Sequence, residues 1–133
     1  MKNFLYILII LIAGFAVYGS FSLSMNDWQI GNVCPKILGI PACYIVFGCF
    51  AMALITHFIP SSKSKWAFFF FIGIVTLIAS TGTIGELTGT AKCPTTAGGT
   101  PMCFISLAIC LSLLITKFAW LKVGRDYVEV LNR

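Results

Sequence analysis

Four long apolar blocks, separated by short polar stretches, organise this chain: residues 4–25, 40–60, 66–85 and 101–121. Within them the apolar residues run continuously instead of falling into the periodic stripe of a soluble amphipathic helix. Each block is near the ~20 residues that a helix needs to cross a hydrocarbon layer ~30 Å thick. None carries an ionisable side chain near its centre, where one costs most. The pattern predicts an all-α integral membrane fold, a single domain over 1–133 with four transmembrane helices. Lys2 and the small residues near Ser20 give the first block some features of a secretory leader. Its apolar stretch is longer than a leader's, however, and it stands where the third block stands in a repeat, so it reads as a span.

The repeat is internal. Residues 41–58 read PACYIVFGCFAMALITHF and residues 101–118 read PMCFISLAICLSLLITKF, with seven identities in eighteen at an offset of sixty. Upstream the offset is fifty-nine: Cys34-Pro35 answers Cys93-Pro94, and Asp27 answers Glu86, each acid seven residues before its cysteine. A duplicated unit governs the architecture. Repeat 1 covers 1–60 and repeat 2 covers 66–121, with a short tail over 122–133. Each unit is a hairpin of helix, cysteine loop and helix, so the two halves share one orientation, as in parallel-repeat transporters.

Composition agrees with this class. The chain is 59% hydrophobic and 10% charged, against roughly 25% charged in an average chain, and its mean hydropathy is +0.97. The net charge of +5 reads as a topology signal. Lys2, Lys63, Lys65, Lys117, Lys122, Arg125 and Arg133 fall on the side of the termini, and only Lys36 and Lys92 on the other. The positive-inside bias makes the termini cytoplasmic and the cysteine loops periplasmic or extracellular. A chain this compact with this asymmetry fits a bacterial inner membrane. Nucleic acid is not an expected partner. Trp28 at one boundary, and Trp66 and Trp120 at the other, suit interfacial aromatic belts.

Cys34 and Cys43 in the first loop, and Cys93 and Cys103 in the second, lie on the side that permits disulfides. One bridge per loop is the simplest pairing, and each would contribute about 2.5–3 kcal/mol in the chain-entropy model. Cross-pairing of Cys34 with Cys93 and of Cys43 with Cys103 is the alternative that the sequence alone leaves open. Pro41 and Pro101 suit a first helical turn, which puts Cys43 and Cys103 at helix starts where a thiolate is favoured. They are the catalytic candidates if the chain is an enzyme. In outline the chain is similar to the membrane disulfide-forming quinone reductases and to the vitamin K epoxide reductase family. The resemblance covers topology and cysteine placement, and it implies a thiol–disulfide exchange with a quinone as acceptor. The C-x-x-C of those families has no match here, so the resemblance assigns no catalytic residue.

Other residues give weaker signals. Asp27 and Glu86, the only acids on the cysteine side, suit either an ion or proton site or solvated helix ends paired with Lys36 and Lys92. Ser20, Ser22 and Ser24, and likewise Thr76, Ser80 and Thr83, suit close helix packing with hydroxyl bonds across interfaces. His57, whose repeat partner is Lys117, reads as an interfacial polar residue. Cys49 and Cys110 read as small buried apolar residues, out of register with each other. Phe68 to Phe71 face both lipid and neighbouring helices. No metal set is evident, and no cofactor is expected outside the quinone of the redox reading. The leading expectation is a non-catalytic accessory or assembly subunit, with the lipid bilayer and a membrane-protein partner or second copy around it. The alternatives are a thiol–disulfide oxidoreductase and a small transporter or channel.

Overall fold

The computed structural model describes all residues, 1–133. Four helices form: α1 (Lys2–Ile30), α2 (Ala42–Phe58), α3 (Ser62–Thr88) and α4 (Met102–Leu131). Three of them, α1, α3 and α4, are long and apolar enough to cross a membrane. The fold is thus of the all-α membrane class.

The second apolar block gives the shortest helix. α2 has 17 residues, which at 1.5 Å per residue is about 26 Å. Both of its ends are set by proline. Pro41 is the extended N-cap, with φ −60° and ψ 127°. Pro60 pushes the residue before it out of the helical region, and Ile59 is extended with ψ 114°. The connection to α3 is only residues 59–61, so α2 and α3 are antiparallel neighbours. α1 packs on α2 and α4, and α3 on α2 and α4. The four helices therefore close into a ring with alternating directions.

The buried stripes explain the packing. α1 buries Ile9, Ala13, Ala16, Ser20, Ser24 and Asp27, at three- and four-residue spacing that keeps them on one face. α3 buries Phe68, Ile72, Val75, Ala79 and Thr83. Each of these five stands 59 positions after the α1 series from Ile9 to Ser24. In the other pair of helices, Phe50, Ala53 and His57 of α2 stand 60 positions before Cys110, Leu113 and Lys117 of α4, and all six are buried. The residue aligned with Cys110 is thus Phe50, which is why Cys49 and Cys110 fall out of register although both are buried. At aligned positions a bulky residue in one half answers a smaller one in the other, Phe68 to Ile9 and Phe50 to Cys110, and all four belong to one core.

The outer face is apolar too. Ile7, Leu11, Phe15 and Tyr18 of α1 are all more than half exposed, again at helical spacing. A stripe of large apolar side chains on the outside of an already filled bundle needs a lipid environment to cover it. Phe68 is fully buried while Phe70 is 65% exposed, so the phenylalanine run divides between core and lipid as its periodicity requires.

The hydroxyl-rich faces act differently from the expectation. Ser20, Ser24, Thr76 and Thr83 each donate to the carbonyl four residues earlier in their own helix. The local carbonyl is always within reach, so the hydroxyl is satisfied without a partner helix. Close packing comes from side-chain size instead. Bonds between helices use other residues, among them Tyr44, which donates to the Ser24 carbonyl at 3.4 Å, and Ser64, which donates to the Thr56 carbonyl. Beyond the last apolar block, α4 continues to Leu131, and the Glu129–Arg133 pair at 3.6 Å supports its exposed end.

Candidate functional site

The end of the bundle away from the termini holds the four loop cysteines. Cys34 pairs with Cys43, and Cys93 with Cys103, with Cα–Cα distances of 6.0 and 6.2 Å. Of the two pairings open to the sequence, the within-loop one is adopted. Cys43 and Cys103 are each the second residue of their helices, so the helix start anchors one sulfur and the loop delivers the other. Cys34, Cys43 and Cys93 are buried and Cys103 is half-buried.

The two loops reach this geometry by the same hydrogen bonds. The Ala42 amide donates to the Pro35 carbonyl and the Met102 amide to the Pro94 carbonyl, both at 2.9 Å. In the first loop, Lys36–Ile37 (β1) and Ile40–Pro41 (β2) form a two-stranded antiparallel hairpin. Its two-residue turn has φ 53° at Leu38 and 85° at Gly39, which is the type I′ pattern. The second loop has one more residue. There the pairing shrinks to a single bridge between Thr95 and Pro101, and Gly99 takes the left-handed position with φ 80°.

Asp27 and Glu86 belong to this scaffold. The Asp27 carboxylate accepts the amides of Val33 at 2.9 Å and Cys34 at 3.0 Å. The Glu86 carboxylate accepts the Cys93 amide at 2.8 Å. Asp27 is 7% exposed, so it is not a solvated helix-end acid, and the salt bridge to Lys36 is not formed. Lys92 is likewise unpaired with Glu86. A short carboxylate seven residues before the cysteine reaches back over the loop and satisfies amides that no helix or strand takes.

Between the loops lies an apolar cavity of about 220 Å³. Leu23 of α1, Val46 of α2, Ile78 of α3 and Met102 of α4 line it, together with Cys43, Cys93 and Cys103. Both disulfides thus border one cavity that opens between the two halves. Gly82 lies against the second: a Cβ built there would sit 2.8 Å from Cys103 Sγ and 3.4 Å from Cys93 Sγ.

The termini end holds a buried polar group whose contacts the sequence did not foretell. Lys117 Nζ lies 2.8 Å from His57 Nδ1. His57 is 6% and Lys117 3% exposed, so both are withdrawn from solvent inside this end of the bundle, and Lys117 does not belong to the surface charge of the termini side. The Lys117 ammonium sits 4.7 Å from the Phe68 ring centre and 4.6 Å from that of Trp120, a cation–π arrangement that offsets lost hydration. Tyr6 packs on His57 with ring centres 4.6 Å apart. Trp120 is therefore turned inward as one wall of this group, whereas Trp28 and Trp66 are each 79% exposed. The sequence did carry a signal for the pair. His57 and Lys117 are aligned in the repeat, sixty positions apart.

Comparison with protein-family models, curated proteins and solved structures finds no match for this chain.

Proposed function

We propose that this chain is a four-span membrane protein of two tandem hairpins that acts as a non-catalytic accessory or assembly subunit, with its outer loops held rigid by disulfides. The observation that carries this reading is the burial of the bridges. Each is closed within its own loop, three of the four cysteines are nearly inaccessible, and a carboxylate ties each loop to the preceding helix. Thiol exchange requires an attacking thiolate to reach a sulfur, and this arrangement suits permanence. The lipid-facing apolar sides and the rigid outer loops are then surfaces for a membrane-protein partner or second copy. The lysine and arginine distribution supports termini in the cytoplasm, and a bacterial inner membrane is the setting that fits. The test is mass-shift alkylation across graded dithiothreitol concentrations, with the protein in mild detergent. Bridges that resist all but denaturing reduction support the subunit reading. Co-purification of a stoichiometric membrane partner, lost when the loops are opened by Cys34→Ser with Cys43→Ser, completes it.

One observation favours a second reading. The apolar cavity touches Cys43, Cys93 and Cys103, so a quinone ring seated there would border both disulfides. In that reaction a reduced cysteine pair gives two electrons and two protons to the quinone, forming a disulfide and a quinol. Ready reduction of either bridge in the folded protein, followed by reoxidation on addition of a soluble quinone, would establish this reading and remove the first.

A further inference from the structure

We infer that the His57–Lys117–Trp120 group at the termini end is a binding site for a phosphate-class oxyanion. The argument begins with unmatched donors. An ammonium has only donors to offer, so the Lys117–His57 contact makes Nδ1 the acceptor and leaves the proton on Nε2. The indole Nε1 of Trp120 is buried with no hydrogen-bond partner, and His57 Nε2 is buried with no well-aligned one, the Tyr6 backbone lying beside the imidazole as a loose acceptor. The His57 and Trp120 N–H groups and the remaining hydrogens of the Lys117 ammonium thus lie in one region without a well-placed acceptor.

Nor is there a counter-charge. The chain has four acids. Asp27 and Glu86 serve the cysteine loops at the opposite end, Glu129 pairs with Arg133, and Asp126 lies in the tail, so Lys117 has no carboxylate within salt-bridge reach. A buried cation and buried N–H donors left unpaired are costly, and a bound oxyanion removes both costs together.

The space and its approach fit this ligand. A cavity of about 140 Å³ is bordered by His57, Lys117, Trp120, Tyr6, Ser64 and Lys65. Next to it, sharing Lys65 and Trp120, is a wider recess that adds Lys2 and Arg125, with Glu129 as its one acid. Basic residues at the mouth draw an anion inward, and neutral donors with one ammonium at the floor bind its oxygens from several sides. A phosphate group offers several oxygens to such a set. It could arrive as a lipid headgroup or as free phosphate, since the site lies at a helix-bundle end.

The test uses the full chain in phosphorus-free maltoside micelles, with ¹⁵N-labelled tryptophan. The three indole N–H signals come from Trp28, Trp66 and Trp120 and are assigned with Trp120→Phe. Phosphatidylglycerol, diacylglycerol with the same tails, and inorganic phosphate are titrated separately, the last against chloride at equal ionic strength. A saturable shift confined to Trp120 with phosphatidylglycerol or phosphate, and none with diacylglycerol or chloride, is the expected result. The responding probe identifies the source. Lys117→Met should weaken that response at least tenfold. If that variant fails to fold, Trp120→Phe, read by retention of the responding probe in native mass spectrometry, should show several-fold weaker binding. No Trp120 response to either phosphate probe, an equal response to diacylglycerol, or undiminished binding in the folded variants would overturn the inference.

Discussion

The carboxylate of Asp27 holds the backbone N–H of Cys34 at 3.0 Å, so the last turn of α1 is tied to the first disulfide. Glu86 and Cys93 repeat the contact in the second half at 2.8 Å. The acid stabilises the loop by accepting amides that would otherwise be buried and unpaired. Asp27→Ala should destabilise the protein by about 1–3 kcal/mol, the cost of orphaned buried donors. Asp27→Asn, which keeps an acceptor oxygen, should lose less. Glu86→Ala, with one amide and a more exposed carboxylate, should lose less than Asp27→Ala. Unfolding in detergent, followed by circular dichroism, gives the ranking.

Gly82 tests how closely α3 approaches the second bridge. A methyl group there meets Cys103 Sγ at 2.8 Å, and the bridge is anchored by the start of α4 at Cys103 and by the Glu86 bond to the Cys93 amide. Gly82→Ala should cost about 1–3 kcal/mol, typical of overpacking, and should slow formation of the Cys93–Cys103 bridge on reoxidation. Gly19→Ala in α1 meets no atom within 4 Å and is the neutral control.

Leu38 occupies a backbone conformation that suits it poorly. Its φ is 53°, and its side chain is 99% exposed, so no packing offsets the strain. Leu38→Asn should stabilise the hairpin by roughly 0.5–1 kcal/mol, because asparagine tolerates the left-handed region and leucine does not. A rise in the thermal midpoint, with the disulfides unchanged by alkylation, is the expected readout.

The two bridges should be separable. Replacing Cys34 and Cys43 together by serine, or Cys93 and Cys103 together, should each cost about 2.5–3 kcal/mol from the lost restriction of the unfolded chain. Because each bridge closes its own loop, the two losses should add. Marked non-additivity in the quadruple variant would mean that the loops depend on each other across the shared cavity.

Several of these features were written in the sequence. Block length and hydrophobicity determined the four helices, since a run of apolar residues that long has few other stable forms. The repeat offsets placed the cysteine loops at one end and aligned Asp27 with Glu86 and His57 with Lys117. Proline positions set the ends of α2. The tertiary structure alone decided the rest, because contacts depend on which faces meet. It chose the within-loop disulfides over the cross-pairing, turned Asp27 from a solvated acid into an amide acceptor, and sent serine and threonine hydroxyls back to their own helices. It also drew Lys117 out of the surface charge and set it beside His57. A linear pattern records that a residue is polar, and only the packed bundle determines whether water, a neighbouring helix or its own backbone satisfies it.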